Sequence, residues 1–266
     1  MVLIQYILKN NILIKSPIQG FLYELIIKYN GDYMKSITPL LDKLIAHRGI
    51  HNKYIKGNSL VAIELAIIKK FPIEIDITLT KDKMVVLCHD NFIKCNNKVY
   101  IISKHPYSKL KKSCQELVTL DEVLKKVSGR VPLLIELKPY NKGNKLEKQV
   151  VKLLDNYKGY FAIQSFSPFI IYWFKKNREN YIRGQLLTNI YNYNFIINMI
   201  YKHMLFNKFT NPDFICYNIK GLPNKEIKKE RLNKPIIGWT IKKKSQLLKY
   251  KKYCDNFICD NILELE

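Results

Sequence analysis

From about residue 43 onward, short apolar runs of strand character alternate with stretches of helical periodicity, and this alternation limits the fold more than any other feature of the chain. Strands are expected at residues 43–47, 73–80, 84–89, 133–138, 161–166, 182–187, 213–218, 236–241 and 256–259. Helices are expected at 58–70, with Asn58 as N-cap, and after Thr119, which precedes Asp121 and Glu122 in a first turn. Further helices are expected at 144–156, 167–176, 194–207, 225–231 and 245–253. Near-continuous apolar strands separated by helices imply a parallel sheet covered on both faces. Nine strands exceed an eight-fold barrel by one, and Lys81-Asp82-Lys83 accounts for the excess as a tight reversal joining residues 73–80 to 84–89. The 266 residues therefore suit a TIM (β/α)8 barrel with a small insertion after the second strand. Residues 91–118 are the least regular and read as a loop over the barrel mouth with one short helix at 107–112. The chain divides into an N-terminal extension, 1–42, and a barrel domain, 43–266.

Several of the apolar runs are interrupted by ionisable residues: His47-Arg48 in LIAHRGI, Glu74 and Asp76 in IEIDITL, His89 in VVLCHD, Glu136 and Lys138 in LLIELKP. Charged groups in such places destabilise a fold unless they are paired or hold a cation. Glu74/Asp76 and Glu136/Lys138 are each two residues apart, so each pair leaves its strand on one face. All lie near the C-terminal ends of strands, where barrels carry their chemistry. Two histidines, three carboxylates, an Arg and a Lys so arranged point to a site for a metal and a phosphate. The alternative is buried ion pairing, Glu136 with Lys138 or Arg48 with Asp76. His51 and His105 fall in loops and read as solvated, His203 as a surface position of a helix, and Asp82 as a turn residue.

The formal charge of +23 raises the question of nucleic acid, but only five arginines contribute, and the lysines are interleaved with Ile, Asn and Tyr along the whole chain. Nucleic-acid surfaces favour clustered Arg for bidentate phosphate contacts. The pattern is a compositional bias of the kind an AT-rich genome produces, with a basic surface attracted to anionic lipid or phosphorylated substrates as the alternative. No nucleic-acid partner is expected. The six cysteines form no CxxC pair and no regular framework, and Cys88, Cys216 and Cys259 sit in apolar runs, which points to a reducing, cytoplasmic setting. The apolar start MVLIQYILKNNILI is interrupted by Lys9, Asn10 and Asn11, which makes it a poor signal peptide and too short for a spanning helix. Residues 21–29 offer a peripheral membrane contact or a plug across one end of the barrel, and Met34 offers an alternative start.

The ordered series AHRG, E-x-D, L-T-K-D, HD, E-x-K, Q-S-F-x-P and G-W-T resembles the glycerophosphodiester phosphodiesterase family from Leu44 to about Asn261. The resemblance implies a TIM barrel with an insertion after the second strand. It implies metal ligation by Glu74, Asp76 and Glu136, a set of hard oxygen donors suited to Mg²⁺ or Ca²⁺. His47 and His89 would be the acid/base pair, and Arg48 and Lys138 would neutralise the phosphate oxygens. Gln164, Phe166 and Trp239 would line the pocket, with Trp239 as simple barrel core the alternative, and orienting Glu136 the alternative for Lys138. The implied activity is metal-dependent hydrolysis of a glycerophosphodiester to sn-glycerol 3-phosphate and an alcohol. A lysophospholipase D acting on membrane lipid and a non-catalytic barrel binding phospho-ligands or anionic membrane are the alternatives. The chain departs from the family pattern at Lys56-Gly57, where Pro-Glu is usual, and at Lys83, where Gly is usual and Lys should only stiffen the turn. Only residues 262–266 remain beyond the resemblance, so the family's final helix is expected to be missing or replaced, and the N-terminal segment is a candidate to cover that flank.

Overall fold

A computed structural model describes residues 36–189 and 204–265. Eight parallel strands close on themselves: β1 (Ile45–His47), β2 (Ile73–Leu79), β6 (Leu133–Leu137), β7 (Phe161–Ser165), β8 (Ile182–Leu187), β9 (Phe214–Asn218), β10 (Ile236–Ile241) and β11 (Asn256–Cys259). Closure is made by β1, which pairs with β2 on one side and β11 on the other. The short strand β3 (Val85–Leu87) lies antiparallel on β2, so the excess strand is the expected hairpin. The structure is thus the TIM barrel anticipated, with strand limits within about two residues of those read from sequence.

Between the strands run α1 (Leu60–Ile68), α3 (Leu120–Val127), α4 (Lys145–Leu154), α5 (Pro168–Asn177), α7 (Lys225–Glu230) and α8 (Lys244–Tyr250), with a short turn α6 (Asn207–Thr210) before β9. Thr119 caps α3 through a full capping box with Glu122, as its sequence promises. Ser59, not Asn58, caps α1 by accepting from the Ala62 amide, which frees the Asn58 side chain for the site described below. The helix expected at 194–207 and His203 fall largely or wholly outside the described residues.

Two apolar layers hold the barrel. Ile45, Leu134, Ala162, Phe214, Cys216, Ile237 and Ile258 fill its interior, and a larger layer, including Ile63, Ile75, Val123, Ile135 and Phe174, lies between strands and helices. Gly184 is required inside the barrel, because a Cβ there would sit 2.2 Å from the Phe214 ring. The N-terminal end is closed by residues the sequence reading gave to the extension. Leu40 is fully buried, and Asn256 Nδ2 donates to the Leu40 and Lys43 carbonyls at 2.6 and 2.7 Å. Past β11, Ile262 and Leu265 are buried in a single 3-10 turn; the proposed cover from the N-terminal segment lies outside the described residues. No described helix is long and apolar enough to cross a membrane.

The insertion after the second strand is more ordered than expected. Strands β4 (Phe92–Cys95) and β5 (Lys98–Ile101) form a hairpin about Asn96-Asn97, both in the left-handed region, followed by α2 (Tyr107–Ser113). Its strands are largely exposed and lack alternation, which is why only the Asn-Asn turn could have announced it. Cys95 and Cys114 are disulfide-bonded and staple the hairpin to the end of α2, which corrects the reading of the cysteines as uniformly reduced. Cys216, Cys254 and Cys259 are free and buried. A second correction concerns Lys83, which stands at φ +68°, so the Lys in the family's glycine position carries a backbone cost of about 1 kcal/mol instead of simply stiffening the turn.

Candidate active site

The AHRG turn builds the floor of the site. After β1 the chain reverses with Arg48 and Gly49 both at positive φ (56° and 79°). A Cβ on Gly49 would lie 2.6 Å from the Ala62 backbone, so only glycine allows α1 to come this close. The left-handed turn aims the Arg48 N–H at Glu74 Oε2 (3.2 Å) and brings its guanidinium Nε to 2.8 Å from Asp76 Oδ2.

Register then assembles the carboxylates. His47 pairs with Glu74 across β1–β2, Asp76 with Glu136 across β2–β6, Glu136 with Gln164 across β6–β7 and Gln164 with Gly184 across β7–β8. Glu74, Asp76 and Glu136 are all buried, each offering an oxygen, and these oxygens lie within 4.8 Å of one another. Lys138 Nζ reaches Asp76 Oδ1 at 2.8 Å and also pairs with Glu136. Both ion pairs that sequence offered as the bland alternative are therefore present, yet they leave the site unbalanced. Three carboxylates face two strong cations, and Glu74 pairs with no Lys or Arg side chain among the described residues.

That imbalance shows in the acidities. Burial, reinforced by the charges of Asp76 and Glu136, pushes the Glu74 carboxyl well above the ordinary range. Burial likewise raises Glu136 to about 7 despite Lys138 beside it. For Asp76 burial acts the same way, but Lys138 and Arg48 outweigh it and hold this carboxyl well below its usual value. A buried carboxylate excess is the donor set a hard divalent cation requires: oxygen ligands, no thiolate, and charge left to neutralise.

His47 ends β1 with Nε2 4.0 Å from Glu74 Oε2 and Nδ1 2.6 Å from Asp260 Oδ1. Burial lowers its pKa, against the Asp260 hydrogen bond, which raises it. Asp260, on the residue after β11, keeps its charge: burial opposes ionisation, but the His47 hydrogen bond prevails and its pKa falls to about 2. Sequence reasoning missed Asp260; its signal was a lone Asp after the apolar run NFIC, similar in placement to His89-Asp90. Asn58 was also missed as a site residue. Its Nδ2 donates to Asp76 Oδ2 (3.0 Å) and its Oδ1 accepts from the Asp76 N–H (3.3 Å), gripping the carboxylate from both ends.

The remaining expected residues surround this cluster. His89 is about half exposed, with Nδ1 3.0 Å from Asp90 and its carbonyl accepting from the Tyr140 hydroxyl. It shares a cavity of about 600 Å³ with Arg48, His51, Asn58 and Phe92, so the structure puts it on the insertion side of the site and not within the carboxylate cluster. Burial and the nearby Lys138 lower its pKa. Gln164 is buried with Oε1 unpartnered, and Trp239 Nε1 is also without a partner among the described residues. Trp239 meets Phe166 edge to face, centroids 5.6 Å apart. Both rings are partly buried against the apolar cluster of the barrel interior. His51 is not a solvated loop residue as expected: its Nδ1 lies 3.3 Å from the Gly49 carbonyl and its Nε2 3.7 Å from Asp260.

Residues 47–191 match the Glycerophosphoryl diester phosphodiesterase family, more than half of the chain. "Putative glycerophosphodiester phosphodiesterase YhdW" of Bacillus subtilis is 30% identical over 127 residues, covering 43% of this chain and 52% of that protein, so the match spans about half the length of the relative. Among solved structures, an Oleispira antarctica phosphodiesterase in complex with the product sn-glycerol-3-phosphate has a TM-score of 0.70 at 21% identity, covering 84% of this chain and 94% of that one. A glycerophosphodiester phosphodiesterase from Thermotoga maritima has a TM-score of 0.66 at 22% identity, covering 83% and 95%. At these identities the structures speak for the shared barrel, and the motif-bearing half of the sequence decides the rest: the chain belongs to the glycerophosphoryl diester phosphodiesterase family.

Proposed function

We propose that this protein hydrolyses glycerophosphodiesters to sn-glycerol 3-phosphate and an alcohol, using a hard divalent cation, Mg²⁺ or Ca²⁺, bound by Glu74, Asp76 and Glu136. The observation that carries the reading is the buried, under-neutralised carboxylate trio beside a histidine braced by Asp260. When bound, the cation would act as a Lewis acid on the phosphodiester. Arg48 and Lys138 hold Asp76 ionised and present positive charge where the phosphate oxygens must sit. His47, whose pKa burial lowers, has Nε2 on the carboxylate side and can take or give a proton there, while Asp260 fixes the ring through Nδ1. His89, across the cavity, supplies the second proton-transfer group. Gln164 Oε1 and Trp239 Nε1 are buried polar atoms in want of partners, matched to the hydroxyls of a glycerol moiety.

The test is release of glycerol 3-phosphate from glycerophosphocholine, with and without chelator, by wild type and His47→Ala. Loss of turnover on chelation and in the variant supports the reading; chelator-insensitive turnover, or a variant as fast as wild type, sinks it. A second substrate class has one observation in its favour. Phe169, at the rim after β7, is 73% exposed on a chain of net charge +23, which suits a barrel that works against an anionic membrane on lysophospholipids. Turnover of a lysophospholipid in vesicles against that of glycerophosphocholine in solution decides between them.

A further inference from the structure

Behind His47, on the side away from the carboxylate trio, three ligand-bearing groups converge. His47, His51 and Asp260 each offer one ligand atom, and these atoms lie within 4.8 Å of one another. Two separations run to Asp260 Oδ1, 2.6 Å from His47 Nδ1 and 3.7 Å from His51 Nε2. A tetrahedral ion with bonds of 2.0–2.1 Å spaces its ligands about 3.3 Å apart, a value these two distances straddle. The second sphere is also in place. The Gly49 carbonyl lies 3.3 Å from His51 Nδ1, so a proton held there leaves the Nε2 lone pair facing Asp260, the arrangement that usually backs a metal-bound histidine. Two imidazole nitrogens and one oxygen are borderline donors, unlike the all-oxygen trio, whose Glu74 Oε2 lies 4.0 Å from His47 Nε2. Lys242 Nζ, 3.4 Å from Asp260 Oδ2, opposes a cation here, but its side chain is 65% exposed and can swing into solvent.

We propose that His47, His51 and Asp260 form a second metal site, selective for a borderline ion of the zinc class, and that filling it silences the site proposed above. The balance of atoms is simple. In the metal-free protein the neutral ring holds its one proton on Nδ1, toward Asp260; an ion bound there takes the Nδ1 lone pair and the proton passes through solvent to Nε2, the nitrogen that faces the carboxylates, so the ring stays neutral. A ring so held has no lone pair left to accept a proton on the substrate side, and Asp260 no longer orients it. The device depends on His51, which has no part in the proposed hydrolysis.

The experiment titrates zinc ion into the full-length protein at saturating Mg²⁺, by calorimetry, for wild type, His51→Ala and His51→Gln; the second variant keeps an N–H for the Gly49 carbonyl without a ligating ring nitrogen. Expected is one zinc per chain in wild type with Mg²⁺ retained, and affinity at least about 100-fold weaker in both variants. Magnesium-dependent glycerophosphocholine hydrolysis should be inhibited by zinc in wild type and resist the same concentration in both variants. Equal zinc affinity in the variants, or one-for-one release of Mg²⁺, would place zinc in the carboxylate trio and overturn the proposal. Since binding is read without turnover, a failure of the hydrolytic reading would appear separately, as absent activity in wild type without zinc.

Discussion

Two arcs of the barrel mouth are made of the same elements and carry opposite chemistry. On β1, β2 and β6 the inward positions near the C-terminal ends are His47, Glu74, Asp76 and Glu136, with Lys138 and Arg48 wedged among them. On the far arc, β7 to β10, the barrel offers Gln164, Gly184, Cys216 and Trp239, with no ionised side chain at the corresponding inward positions. Strand pairing does not separate them, since both arcs belong to one closed parallel sheet. The difference lies in what each arc can do with burial. The charged arc turns it into shifted acidities and cation affinity, whereas the neutral arc turns it into a shaped, apolar wall with two unsatisfied polar atoms.

If the arcs divide labour in this way, substitutions on them should differ sharply. Glu136→Gln, which removes one cation ligand at nearly constant volume, is expected to cut kcat by about 10³-fold or more. Gln164→Ala on the neutral arc should cost about tenfold, mostly in KM; equal losses in kcat at both positions would break the comparison. Within the charged arc, His47→Ala should lose about 10²- to 10⁴-fold in kcat. Asp260→Asn, which keeps the shape and loses the charge that holds His47, should lose about 10- to 100-fold with KM little changed.

Glu74 and Glu136 have folded pKa values raised above their unfolded ones, so they oppose folding where the unfolded chain ionises and the folded one resists. The penalty is absent below the unfolded value near 4.5 and complete above the folded value, about 7 for Glu136. A divalent cation relieves it only where protons do not compete. Mg²⁺ should therefore raise Tm more at pH 8 than at pH 5.5, as differential scanning fluorimetry would show, and a pH-independent increment would argue against binding at the trio. The smallest effect is expected from Trp239→Phe, which keeps the ring contact with Phe166 and deletes the unpartnered N–H. A rise of a few-fold in KM, with kcat and Tm unchanged, fits a wall residue; a large fall in Tm would make Trp239 purely core.

Much of this was readable in one dimension, because the readable features are local. A strand buried on both faces must be apolar at nearly every position, so β2, β6, β8 and β10 stand out, and a charge inside such a run is conspicuous. The hairpin β4–β5 was hidden because its residues face solvent and need no pattern. The Cys95–Cys114 bond was hidden because a separation of 19 residues carries no framework by itself. The Asn58 side chain could serve a helix or a carboxylate, and its neighbour Ser59 took the helix.

The sequence by itself determined the barrel, the place of its insertion and the shared face of Glu74 with Asp76 and of Glu136 with Lys138, since period-two spacing on apolar strands commits such pairs to one side. Tertiary structure alone decided which groups meet. His47 and Asp260 are 213 residues apart and touch only because β11 closes on β1. His51 acquires its carbonyl and carboxylate neighbours only because the AHRG turn folds back under positive φ. Closure of a barrel is a global condition on all its strands, and no local stretch of sequence reports which ends it will bring together.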